Sequence, residues 1–224
     1  QDPNFKGIDV GGIGIATGNY IGKNIVGYAP NSFFVYKQIY DKTTGKPIEG
    51  LYEDINRDGQ QNADDRYLYK KPAPDALIGI NTQLIYKKFS LGLAAHGMIG
   101  NYLFNQYDAG SGILAVLKNP VNFIGNASTS YLETGFHNNS NNQFLSDYFI
   151  QNASFLRIDN INLGYMVGKV FKDQANLRIT GSVQNVAVIT NYKGLDPENS
   201  SDSGIDGNIY PRPRIYSLGV NLDF

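Results

Sequence analysis

The chain has 224 residues, enough for one large domain, and its 16 Tyr, 12 Phe and 25 Gly favour strands and turns over helices. A formal net charge of -1 gives no basic surface for a nucleic-acid partner, and the absence of Cys excludes a disulfide scaffold or a thiolate metal site. No run reaches the ~18 apolar residues that a spanning helix needs, so a membrane, if there is one, is crossed by strands.

Gln1 begins without a Met, a basic stretch or an apolar stretch, so no signal peptide is expected in the sequence as given. Gly11-Gly12-Ile13-Gly14-Ile15 through Ala29-Pro30 has no clear period and reads as a Gly-rich connection. Phe33 to Tyr40 reads as a strand of ambiguous facing.

The long connection 41–74 holds Asp54-Ile-Asn56-Arg-Asp58-Gly59-Gln60-Gln-Asn62-Ala-Asp64-Asp65. It matches the twelve-residue EF-hand loop: side-chain oxygens at positions 1, 3 and 5 (Asp54, Asn56, Asp58), the turning Gly59 at 6, the Gln60 carbonyl at 7, Asn62 at 9 and Asp65 at 12. Hard oxygen ligands suit Ca²⁺. Asp at position 12 has a shorter reach than the usual Glu, which favours monodentate binding and a weaker site. Pro47 before the loop and Pro72 and Pro74 after it leave no flanking helices, so the expected role is a structural clip rather than a sensor. The alternative is an acidic turn without metal, since Asp and Asn also favour turns by hydrogen-bonding their own backbone.

Ile78, Ile80, Leu84 and Tyr86 alternate with Gly79, Asn81 and Gln83, and beyond Lys87-Lys88 the alternation resumes in Phe89, Leu91, Leu93 and Ala95, predicting a hairpin with a tight charged turn. Connection 106–152 is long and polar. Ile161, Leu163, Tyr165 and Val167 then alternate with Asn160, Asn162 and Gly164, but upstream Leu156 and Ile158 fall on the Asn160 side, which predicts a bulge or a strand rising above the lipid. Leu177, Ile179, Gly181 and Val183 alternate with Asn176, Arg178, Thr180, Ser182 and Gln184, a polar stripe suited to a wet lumen. After connection 190–213 the chain closes on Tyr216, Leu218, Val220, Leu222 and Phe224, apolar at every second position, with Ser217, Gly219, Asn221 and Asp223 between. About ten alternating residues cross a bilayer when the strand is tilted.

The predicted fold class is therefore all-β: an antiparallel transmembrane β-barrel with short turns on one side and the long connections 41–74, 106–152 and 190–213 as extracellular loops. Tyr86, Phe89, Tyr165 and Phe171 near the short turns would form the inner aromatic girdle. About six strands are visible, fewer than the eight of the smallest such barrels, so residues 1–224 are expected to be the carboxyl-terminal part of a larger one.

Four stretches and the last strand carry a resemblance. They are Asn31 to Lys37, the Asp54 to Asp65 loop leading into Pro72-Ala-Pro74, Ser146 to Arg157 continuing through Leu163-Gly-Tyr165, and Tyr210-Pro-Arg-Pro-Arg-Ile-Tyr216. In that order they resemble the carboxyl-terminal part of a SusC/RagA-type TonB-linked outer-membrane transporter. The resemblance implies a 22-stranded barrel of Bacteroidetes type, a plug domain lying upstream of Gln1, energy from TonB-ExbB-ExbD through that plug, and a SusD/RagB-like surface lipoprotein that captures oligosaccharide or peptide. Ser217, Gly219, Leu222 and Phe224 also resemble the signal read by the barrel-assembly machinery; burial in outer-membrane lipid alone would explain the same residues.

Two other classes fit the sequence less well. An enzyme is not expected: His96 and His137 are the two histidines, and neither lies in a nucleophile elbow or a two-histidine metal motif. A secreted calcium-dependent β-sandwich that binds carbohydrate would use the same strands and loop, but its inner faces must be dry, which the Asn176 to Gln184 stripe opposes. Asn105, Tyr107, Asn126, Tyr131 and Asn141 are plausible substrate contacts by type alone, and Asp202 and Asp206 read as solvated loop carboxylates.

Overall fold

The computed structural model describes residues 6–118, 123–138, 140–198, 203–207 and 210–224. The chain divides into two compact units. One comprises Asp75–Ile99, Ser154–Asn191 and Tyr210–Phe224; the other comprises Gln1–Pro74, Gly100–Ala153 and Tyr192–Ile209.

The first unit is one five-stranded sheet whose strands, in chain order, are Ala76–Tyr86, Phe89–Ile99, Phe155–Val170, Ala175–Thr190 and Ile215–Asp223. Each pairs antiparallel with the next in sequence. Lys87, at φ 52°, turns the first pair, and the Val170–Ala175 pairing closes the second short turn.

Register gathers the alternating residues of every strand into rows. Leu84, Leu91, Leu163, Gly181 and Leu218 form one row, and Tyr86, Phe89, Tyr165, Ile179 and Val220 the next. The opposite face carries rows such as Gln83, Gly92, Asn162, Ser182 and Ser217. One face is thus apolar and the other polar across the whole width. The apolar face is also bare: Leu163 is 54% exposed and Leu218 82% exposed. A sandwich would bury such a face. Phe89 and Tyr165, with centroids 4.8 Å apart, start an aromatic row beside the first short turn.

The slip at Leu156 and Ile158 is a bulge. Pairing skips Asp159 on both flanks of the third strand, so Ile158 pairs with Ala95 and Leu156 with Gly97, back on the apolar face. Without the extra residue, both would point to the polar side.

The second unit departs from the expectation of unstructured connections. Ile8–Gly12 pairs with Tyr20–Asn24, and Ser32–Val35 and Tyr67–Leu68 complete a four-stranded sheet. The opening stretch therefore contains a hairpin as well as glycines, because Gly22 lets strands approach closely: a Cβ there would lie 3.3 Å from the Ser32 carbonyl oxygen. The predicted strand from Phe33 to Tyr40 is split between Ser32–Val35 and Gln38–Tyr40, outside the long sheet. At the break the Tyr36 N–H donates to the Leu145 carbonyl at 2.8 Å and the Asp147 N–H donates to the Tyr36 carbonyl at 2.9 Å. The unit has an apolar core of its own, in which Phe33, Phe104, Phe136, Phe149, Ile21 and Ile113 are fully buried. No helix among the described residues is long and apolar enough to cross a membrane.

A hydrogen-bonded acidic loop and a polar sheet face

The Asp54–Asp65 loop is shaped by its own side chains. Asp54 accepts the backbone N–H groups of Arg57 at 2.6 Å and Asp58 at 3.2 Å on Oδ1, and that of Gly59 at 2.8 Å on Oδ2. Gly59 takes φ 78°, the left-handed conformation that the spacing assigned to position 6. Asp58 Oδ1 accepts from the Gln60 N–H at 2.7 Å, while its Oδ2 faces the amide nitrogens of Asn56 at 3.0 Å and Asn62 at 3.3 Å. These bonds, the Gln60 N–H first, hold the Asp58 carboxyl below the usual carboxylate range.

Asp65 plays a different part. It is 0% exposed and accepts the Ile55 N–H and the Asn62 N–H at 3.0 Å each. Asn62 in turn accepts the Asp64 N–H at 2.8 Å, so Asn62 and Asp65 form a reciprocal capping box over the short helix Ala63–Asp65. The spacing Asn-x-x-Asp carried that signal in the sequence.

The donor set fits a hard cation in chemistry, since Asp54, Asn56, Asp58 and Asn62 all carry side-chain oxygens that keep a second lone pair, while in this structure the Asn56 and Asn62 amides turn their nitrogens toward Asp58 Oδ2. Among the described residues no three His, Cys, Asp or Glu groups gather as a metal cluster. An ion in this loop therefore depends on amide and backbone oxygens as well as carboxylates.

On the polar face of the long sheet, the Arg178 guanidinium crosses the third strand above Gly164 and donates from Nη2 to Ser90 Oγ at 2.9 Å. Further along the same face His96 Nδ1 lies 2.7 Å from Asp159 Oδ2, the carboxylate that the bulge provides. Arg157, paired across the strands with His96, donates to Asn185 Oδ1 at 2.8 Å. His96 thus occupies the polar face that alternation assigned to it, and His137 sits on the surface beside Glu49.

The residues of the last strand lie where alternation puts them. Ser217 and Gly219 face the polar side opposite Ser182 and Thr180, Leu222 faces the apolar side opposite Leu177, and Phe224, beyond the strand end, is 93% exposed.

Other expectations need correction. Asp206 is buried, accepting from the Tyr192 hydroxyl at 2.7 Å, rather than solvated; Asp202 lies outside the described residues. Asn105 is also buried, its Oδ1 accepting the Asp108 N–H at 3.0 Å and its amide donating to Asp108 Oδ2 at 2.8 Å, so it caps a helix instead of offering a surface contact. Tyr107 remains exposed. Asp147 escaped sequence reasoning altogether: burial raises its carboxyl above the usual range, partly offset by the Tyr67 hydroxyl at 2.7 Å and the Gln38 N–H at 3.0 Å. Those partners are remote in sequence, which is why no local pattern announced them.

Similarity to characterised proteins follows the same lines. No family model matches the chain. It is 41% identical over 206 residues, 89% of its length, to the TonB-dependent receptor SusC of Bacteroides thetaiotaomicron, and spans 20% of that receptor. It is 26% identical over 191 residues to TonB-dependent receptor P3 of Formosa agariphila, spanning 19% of it. Among solved structures, the RagAB peptide transporter matches 92% of the chain with a TM-score of 0.68 at 21% identity, the chain covering 24% of the solved chain. The chain thus spans about a fifth of the length of the curated relatives it matches.

Proposed function

Because the chain is of the SusC/RagA type of TonB-dependent receptor over the fifth of receptor length that it matches, we propose that it forms part of an outer-membrane barrel that imports oligosaccharide or peptide. The observation that carries this reading is the long sheet with one bare apolar face and one polar face, which suits lipid on one side and a wet lumen on the other. Connections 41–74, 106–152 and 190–213 would then be extracellular. The proposed partners are a SusD/RagB-like surface lipoprotein, TonB-ExbB-ExbD acting through a plug in another part of the receptor, the barrel-assembly machinery, and outer-membrane lipid. No bond chemistry is proposed, in keeping with relatives that are receptors and transporters. The test is uptake by cells carrying the whole receptor. Deleting it is expected to abolish growth on the cargo; a deletion strain that grows undiminished on every oligosaccharide and peptide mixture offered would refute import.

Ca²⁺ is proposed as a structural clip of the acidic loop, held by Asp54, Asn56, Asp58, the Gln60 carbonyl, Asn62 and Asp65. The ion would supply positive charge beside the loop's carboxylates and reduce the entropy cost of ordering the loop. Calorimetry on the whole receptor is expected to detect calcium binding, and EDTA to hasten amide exchange in 54–65. Neither effect appearing would leave the loop as a self-capped acidic turn.

Ser217, Gly219, Leu222 and Phe224 are proposed as the assembly signal. Phe224→Ala is expected to lower the folded fraction in the outer membrane several-fold, read as loss of heat-modifiable mobility on gels. Full assembly of the variant would leave Phe224 as an interfacial side chain only.

A further inference from the structure

The short turns end the apolar face of the long sheet in lysines set among aromatic rings. Lys87 and Lys88 form the first turn, and both are exposed. The Lys87 ammonium stands 5.3 Å from the centre of the Tyr86 ring, and Tyr86 opens the aromatic row that continues through Phe89 and Tyr165 on that face. Lys88 is fastened at both ends. Its carbonyl accepts the Met166 N–H at 2.8 Å, and its ammonium donates to the Val167 carbonyl at 2.9 Å. Pairing of the third and fourth strands skips Val167, so a second bulge supplies that carbonyl. The ammonium lies 3.8 Å from where a Cβ on Gly168 would stand, and Gly168 pairs with Leu177 of the apolar face.

Charge on this side of the edge is mostly positive. The second turn adds exposed Lys172 beside exposed Phe171, with Asp173 as its acid, whereas Asp223 and Lys169 both pair with Asn176 and so belong to the polar face. Lys88 spends one of its three donors on Val167. Lysines among rings at the rim of an apolar face suit a phosphate that carries hydrocarbon chains: the chains pack on the leucine row while the ammonium groups reach the headgroup. Further strands of a barrel lie edge to edge with Ala76–Tyr86 and leave its outer face toward lipid. We infer that the first short turn is a phosphate site for an anionic phospholipid of the leaflet on the short-turn side, with Lys87 and Lys88 as its contacts. The inference rests on the outer-membrane reading and names a lipid chemistry for one part of that surface.

The test uses the whole receptor in detergent, with bound lipid counted by native mass spectrometry and the fold of each variant checked by heat-modifiable mobility. The probes are dioleoyl phosphatidylglycerol and dioleoyl phosphatidylcholine, which share acyl chains and differ in net charge. The wild type is expected to bind the anionic lipid about tenfold more tightly at low salt, since each lysine beside an anionic headgroup contributes about fivefold. The double variant Lys87→Gln, Lys88→Gln is expected to erase that preference while leaving phosphatidylcholine unchanged. Lys87→Arg with Lys88→Arg is expected to keep it, as is Lys46→Gln on the long connection 41–74. A preference that survives the double Gln variant overturns the inference, and so does a wild type that binds both lipids equally. Equal loss of both lipids overturns it too, by marking the lysines as supports of the turn. Failure of the outer-membrane reading would show separately, as a receptor missing from the outer-membrane fraction of cells.

Discussion

Leu163→Arg is expected to cost the receptor about 1–2 kcal/mol of stability in a bilayer, between the midplane and interfacial penalties for a cation on the lipid face, because its row lies next to the aromatic girdle. Leu163 is 54% exposed, in a row with Leu84, Leu91 and Leu218. Its chain neighbour Asn162 points to the opposite, polar face, where an added cation can stay hydrated. Asn162→Arg is therefore expected to cost less than about 1 kcal/mol. Denaturant titration of the whole receptor refolded into vesicles measures both, and equal destabilisation by the two substitutions would contradict the membrane assignment of the sheet. The comparison is sharp because adjacent residues in one strand share backbone and depth and differ in the face they occupy.

Asp65→Ala is expected to loosen the acidic loop strongly. Asp65 is 0% exposed and its two oxygens accept the Ile55 and Asn62 N–H groups, so Ala leaves two donors without their partner, at about 1–3 kcal/mol each if both stay buried. Amide exchange across 54–65 should accelerate by at least tenfold. Asp65→Asn is expected to lose less, since its amide oxygen retains one of the two acceptors. Exchange in Asp65→Ala that matches the wild type would show that the capping box does not hold the loop. Repeating the measurement with and without calcium separates the cap from the clip: if the ion contributes, EDTA slackens the wild type and has little further effect on Asp65→Ala.

Several features of this molecule are legible residue by residue. Alternation from Ile78 to Ala95 fixed the first hairpin, since adjacent side chains of any strand point to opposite faces. The displaced Leu156 and Ile158 pointed to a bulge or a strand rising above the lipid, and the pairing that skips Asp159 makes it a bulge. The turn at Gly59 was equally local: the oxygens of Asp54 and Asp58 reach backbone N–H groups within five residues.

Other features depend on residues far apart in sequence. Phe33, Phe104, Phe136 and Phe149 share one apolar core but fall at no common spacing, so the connections read as polar loops while folding around a centre of their own. Asp206 reads as a solvated carboxylate and Asn105 as a substrate contact until Tyr192 and Asp108 are placed against them. Gly22 lay in a stretch read as a Gly-rich connection and Gly164 in an alternating strand, yet one allows strands to approach and the other makes room for a guanidinium.

The sequence by itself determined the long strands, their two faces, the slip in period at Leu156 and Ile158 and the turn of the acidic loop, all of which follow from the backbone's local repeat and from side chains that reach only a few residues. Tertiary structure decided which polar groups are buried, where the second core lies and that Arg178 spans from the fourth strand to Ser90 on the second, because strand pairing alone brings together groups that lie 88 residues apart.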